Sequence, residues 1–216
     1  MESLIEDNLS KIKDKIRPGV RILFATKYAS PEDISLLARI ESRILIGENR
    51  VQDAEEKMEW IRKNHPELAD NMEVHMIGHL QSNKARKAVQ LFDCIQSVDS
   101  IKLAEKISSA AKEEGKIMPV YLEINISGEK RKFGFPPDEA EDAFRKISKM
   151  GFLSVRGIMG IAPNIKPEYT RKYFQSLRKM ADKFGVKTSM GMSNDFEVAM
   201  EEGSDMIRLG RIIFSY

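Results

Sequence analysis

The stretch Phe24-Ala25-Thr26-Lys27-Tyr28-Ala29-Ser30-Pro31-Glu32 sets one amine between an apolar run and a helix start. Residues 20–26, Val-Arg-Ile-Leu-Phe-Ala-Thr, read as a buried strand, and Ser30-Pro31-Glu32 reads as a cap and first helical turn. Lys27 therefore stands at a strand tip, where a lysine either reaches into solvent or attacks a carbonyl. A second set of groups lies far along the chain. Gly191-Met192-Ser193 leads into a helix expected from Asn194, so backbone N–H groups and the Ser193 hydroxyl can meet an anion there. Arg208-Leu209-Gly210-Arg211 adds a guanidinium and a glycine that permits close approach of the backbone to a ligand. Taken singly, Ser193 is a cap and Gly210 a turn. Taken with Lys27 they describe an amine beside an anion cradle, the parts of a Schiff base with a phosphorylated aldehyde.

Whether these residues meet depends on the elements that carry them. Strand patterns fall near 20–26, 43–47, 73–78, 93–98, 118–126, 155–160, 187–191 and 205–209, the seventh being the weakest because it is short and rich in Ser and Thr. An opening helix carries Ile5, Leu9, Ile12 and Ile16 at helical spacing and stops at Pro18-Gly19. Further helical patterns run near 31–40, 49–63, 83–90, 100–113, 137–149, 168–183 and 194–202, with Ser30, Asn83 and Ser100 as caps. Strand–helix alternation demands parallel pairing with right-handed crossovers. The expected fold is α/β, a single closed (β/α)8 TIM barrel with an extra N-terminal helix in the slot after the last strand; an open doubly wound sheet is the alternative. Both put ligands at the carboxyl ends of the strands. In the barrel, strand 8 closes against strand 1, so Lys27 and Arg208 look into one mouth. Partial exclusion from water there would favour the neutral, nucleophilic amine.

Composition narrows the function. The chain has 216 residues, 42% hydrophobic and 31% charged, with no Gly/Ser/Pro-rich linker, so residues 1–216 are expected to form one domain. A formal charge of +2 argues against a broad nucleic-acid footprint or a polybasic membrane surface. The basic runs at 82–87 and 129–132 lack interleaved aromatics and read as a helix surface and a loop. The N-terminus lacks an apolar leader, no stretch is long enough to span a bilayer, and the lone Cys94 lies in an apolar strand as a core residue; a cytoplasmic setting is expected. His75 and His79 do not share a face as metal ligands would, so no metal is expected and His75 reads as packed or hydrogen-bonded. Trp60 and Phe133-Gly134-Phe135 read as packing residues. P-loop, dinucleotide and nucleophile-elbow motifs are missing.

The segments ATK (25–27), IGENRVQDAEEK (46–57), HMIGHLQSNK (75–84), SVDS (97–100), EINIS with KFGF (123–135), RGIMGIAP (156–163) and SMGMSNDFEVAMEEGSDMIRLGRIIF (189–214) together resemble the pyridoxal phosphate homeostasis protein family. Members of that family look like the barrel domain of alanine racemase standing alone. The resemblance implies pyridoxal 5'-phosphate (PLP) held as a Schiff base on Lys27, its phosphate on Ser193 and the backbone around Gly210 and Arg211. It further implies Arg208 at the pyridine nitrogen, contacts from Asn49 and Met159, and His79 and Asn125 near the pocket. By the same resemblance the chain is expected to be a cofactor carrier without catalytic residues, serving storage, buffering or delivery to apo PLP-dependent enzymes, and a monomer is expected. An arginine at the ring nitrogen makes the cofactor a poor electron sink. Racemases of this fold add an acid/base group from another domain, expected to be missing here. An amino-acid racemase or decarboxylase, a cofactor-free aldolase-like barrel and a pure interaction barrel remain the competing readings. One departure is the ending IIFSY, where family members have IFG and continue.

Overall fold

A computed structural model describes residues 2–214; Ser215 and Tyr216, where the ending departs from the family pattern, lie outside the described residues. In chain order the elements are α1 (Glu2–Lys13), β1 (Arg21–Ala25), α2 (Pro31–Ile40), β2 (Ile44–Glu48), α3 (Val51–Asn64), α4 (Pro66–Ala69), β3 (Met72–Met76), α5 (Ala85–Leu91), β4 (Cys94–Val98) and α6 (Ile101–Glu113). They continue with β5 (Met118–Ile124), α7 (Ala140–Ile147), β6 (Leu153–Gly160), α8 (Pro167–Phe184), β7 (Lys187–Met192), α9 (Phe196–Glu201), β8 (Met206–Leu209) and α10 (Arg211–Phe214). The eight strands close in sequence order, β1 through β8, and β8 returns to β1 in parallel with Leu23 opposite Arg208. The open-sheet alternative is thereby removed.

Strands β2 and β4 are buried at every position, as parallel strands covered on both faces must be. The main core lies between strands and helices. Inside the barrel two small apolar clusters remain, Leu23 with Leu45 and Met206, and Cys94 with Tyr121 and Met159. β7, the weakest strand on pattern, is secured by polar bonds: Thr188 N and Oγ1 donate to Asp205 at 2.8 and 3.1 Å, and Arg178 holds the same carboxylate at 2.8 Å. α1 buries Ile5, Leu9 and Ile12, and Asn8 donates to the Ile213 carbonyl of α10 at 3.1 Å, so the opening helix covers the region after β8.

The caps divide. Ser30 forms a full capping box with Asp33, and the Ser100 hydroxyl accepts from Leu103 N. Asn83 caps nothing; it lies inside a 3₁₀ turn, Ser82–Lys84, and α5 begins at Ala85 without a side-chain cap. α7 starts at Ala140, three residues after Pro137, and the short α4 and α10 had no separate periodic signal.

Candidate functional site at the carboxyl end of the barrel

β1 ends at Ala25, and the chain then turns. Thr26 is fully buried, its N–H donating to the Gly47 carbonyl at 3.0 Å. The next residue, Lys27, is exposed, with its Nζ 4.6 Å from the centre of the Tyr28 ring. The expected partial exclusion of this amine from water is not what is found, because Lys27 has left the strand ladder and rises into the mouth.

A cavity of about 480 Å³ opens at this end of the barrel. Lys27, Asn49, Ser193, Arg208, Gly210 and Arg211 all line it, so residues more than 180 positions apart in sequence share one wall. Met159 does not line it; the side chain is completely buried against Cys94 and Tyr121, and Ile161, two residues on, meets the cavity instead. Lys132, Asn194 and Asp195 are among the polar lining residues that were not expected to contact a ligand.

Arg208 is the best-anchored cation in the site. Its Nη1 donates to the Ser189 carbonyl and hydroxyl at 2.7 and 2.9 Å, and Nη2 donates to the Gly160 carbonyl at 3.1 Å. Burial pulls its guanidinium down to about 10, opposed by the charges of Asp195 and Glu123, so it is still cationic at neutral pH. The Asp195 carboxylate accepts from Met192 N at 2.7 Å and closes the turn after β7. Burial, the foremost influence on it, raises the pKa of Asp195. α9 therefore begins at Phe196 with Asp195 as its N-cap, and Ser193 is not used as a helix cap. Gly191 (φ +92°) and Gly210 are required sterically: a Cβ on Gly191 would collide with Ala199, and one on Gly210 would lie 2.9 Å from the Ala25 carbonyl oxygen. The close approach that Gly210 permits is thus to β1, which draws the last loop toward Lys27.

His79 and Asn125 brace the rim. His79 Nδ1 is 2.9 Å from Asp99 and its ring stacks on Phe133 with centroids 3.6 Å apart. Phe135 is buried, whereas Phe133 is half exposed. The Asn125 amide donates to the Glu129 and Lys132 carbonyls at 3.0 and 3.3 Å, and its oxygen accepts from Ser127 Oγ and Gly128 N at 3.0 and 3.1 Å. It thereby shapes the loop that brings Lys132 to the cavity, where Lys132 Nζ pairs with Glu129 at 2.6 Å. The basic run 129–132 is a loop as expected, but one of its lysines faces the site. His75 is buried between Glu73 and Gln96, at 2.8 and 2.7 Å. Among the described residues no group of three or more His, Cys, Asp or Glu is placed to hold a metal, and no helix is long and apolar enough to cross a membrane.

Residues 2–216 match the family described as alanine racemase, N-terminal domain. The pyridoxal phosphate homeostasis protein of Vibrio cholerae serotype O1 is 33% identical across 93% of this chain and 86% of its own length. The chain belongs to the pyridoxal phosphate homeostasis protein family. The family member of Aquifex aeolicus is also 33% identical, over 96% of both chains. Among solved structures, PipY of Synechococcus elongatus PCC7942 with PLP bound superposes with a TM-score of 0.86 at 30% identity, covering 97% of this chain and 99% of that one. Alanine racemase of Clostridium difficile 630 shares the barrel at a TM-score of 0.77 and 18% identity, with 55% of its length covered, a likeness of fold.

Proposed function

We propose that this homeostasis-family chain holds PLP reversibly as a Schiff base on Lys27 and so stores, buffers or delivers the cofactor. The observation that carries the proposal is the shared cavity: Lys27, Ser193, Arg208, Gly210 and Arg211 line one space of about 480 Å³. Its size suits one small ligand. The donor set suits this one, with an amine for a carbonyl, hydroxyl and backbone donors for a phosphate, and an anchored cation. PipY, similar over nearly its whole length, was solved with PLP bound.

When bound, the cofactor supplies an aldehyde that condenses reversibly with an amine, releasing one water. In this reading Ser193 and the N–H groups of Gly210 and Arg211 would hold the phosphate, Asn49 would border the ligand, and Met159 would support the floor from below. Arg208 would stand at the pyridine nitrogen and, keeping its proton at neutral pH, would leave the ring a weak electron sink. That favours carriage over racemisation or decarboxylation, and the exposed Lys27 suits release. The reading extends to residues 1–216 working as one domain and as a monomer in the cytoplasm, with apo PLP-dependent enzymes as recipients; the near-neutral charge and the lone buried Cys94 support that setting.

The test is to load the protein with PLP, record its visible absorption, reduce with borohydride and map the modified peptide. Label on Lys27, and its loss in Lys27→Ala, is expected; label on another lysine overturns the assignment. D-isomer or carbon dioxide formed from single L-amino acids above the free-cofactor rate would favour an enzyme.

A further inference from the structure

We infer that Glu48 and Lys57 form a buried clamp that positions Lys27 for its bond to the cofactor, an inference that rests on the PLP reading above. Glu48 ends β2 with 1% of its side chain exposed, and Lys57 reaches it from α3 with 14% exposed. Lys57 Nζ donates to Glu48 Oε1 at 2.8 Å and to the Thr26 carbonyl at 2.7 Å. Thr26 Oγ1 donates to the same Glu48 oxygen at 2.6 Å and to the Gly47 carbonyl at 3.2 Å. Together with the Thr26 N–H bond to Gly47, these hold both peptide groups of Thr26, and the carbonyl taken by Lys57 belongs to the peptide that begins Lys27.

None of Thr26, Glu48 and Lys57 lines the cavity. They act through the backbone and are positioning residues. Lys27 itself is exposed, so the point at which the chain leaves the barrel sets where its amine can reach. A shift of about 1 Å in a reacting group costs on the order of 100-fold in rate. Stability alone is a poor account of the trio. Glu48 Oε2 is buried with no hydrogen-bond partner among the described residues, and a buried ion pair is commonly matched or bettered in stability by apolar residues of similar volume. A device that costs folding energy while tying α3 to the residue before Lys27 is explained by what it does for that residue.

The experiment compares PLP with pyridoxine 5'-phosphate, which keeps ring and phosphate but lacks the aldehyde, on Glu48→Gln, Lys57→Met and Thr26→Val. Stopped-flow absorbance follows Schiff-base formation and calorimetry follows pyridoxine 5'-phosphate. The expected result is Schiff-base formation slowed about 10- to 100-fold in Lys57→Met and Glu48→Gln, and less in Thr26→Val, with pyridoxine 5'-phosphate binding unchanged. Unaltered rates in folded variants overturn the clamp; so does an equal loss for both ligands, which marks a merely structural role. Should the charge variants fail to fold, Thr26→Val, which removes only the hydroxyl, decides by the same two readouts. A Lys27→Ala control that still gives the bound spectrum and the trapped adduct would instead overturn the cofactor reading beneath the clamp.

Discussion

The two ends of this barrel treat the same residue types in opposite ways. At the amino end, Glu73 is enclosed by partners: His75 at 2.8 Å, with Gln96 at 2.7 Å on the other ring nitrogen, and Arg21 at 2.8 Å. The hydrogen bond from His75 leads in holding the Glu73 carboxyl down at about 2, with Arg21 assisting and burial opposing. At the carboxyl end, burial pushes the Glu123 carboxyl up to about 7, Asp99 adds to the rise, and Arg208 resists it. Among the described residues that line the cavity, Lys27, Lys132, Arg208 and Arg211 outnumber the one carboxylate, Asp195, although Lys132 is also paired with Glu129 behind the wall. One end spends its charges on itself and contributes stability; the other leaves cations available to an anionic ligand. The lesson is that function sits where electrostatic satisfaction is incomplete.

The contrast can be broken most severely at Arg208. Arg208→Met should cost about 2–4 kcal/mol, since it strips the Ser189 and Gly160 oxygens of their donor, and should weaken PLP retention; urea melts and equilibrium dialysis read the two effects. Next comes the amino end. With its folded pKa below the ordinary carboxylate value of 4.5, Glu73 contributes stability that is present above pH 4.5 and lost as pH falls toward 2. Glu73→Gln should therefore destabilise by about 1–3 kcal/mol at pH 7, with the gap narrowing in melts taken toward pH 2. The smallest effect has the opposite sign. Because Glu123 is raised above 4.5, its ionisation costs stability progressively from pH 4.5 to 7 and fully above that. Glu123→Gln should gain about 1 kcal/mol at pH 8 and nothing at pH 4. A loss at pH 8 would erase the distinction between the ends.

Much of the fold is legible locally. Strand and helix periods mark all eight units, and Ser30 and Ser100 announce helix starts through bonds that span three residues. Asn83 failed as a cap because a 3₁₀ turn took up the positions before α5. In the site, Lys27, Ser193 and Gly210 stand at strand ends and were readable from strand boundaries. Met159 lies on the readable strand yet is buried in the inner cluster, a matter of barrel packing rather than of spacing. Lys132 could not be found from its neighbours, since Asn125 and the return of Phe135 onto β5 decide where its loop points. Thr26, Glu48 and Lys57 gave no local signal of partnership, coming from the turn after β1, from β2 and from α3.

The amino-acid order alone determined the alternation of strand and helix, the parallel pairing it demands, and the residues that stand at the strand ends, because periodicity and capping act over a few residues; that the sheet closes on itself was settled by the pairing of β8 with β1. Only the tertiary structure decided that Lys27 lies exposed, that Arg208 is held by Ser189 and Gly160, and that a buried pair from β2 and α3 grips the peptide before Lys27. Those outcomes depend on burial and on which distant groups closure of the ring brings within hydrogen-bonding distance, and no short-range pattern encodes either.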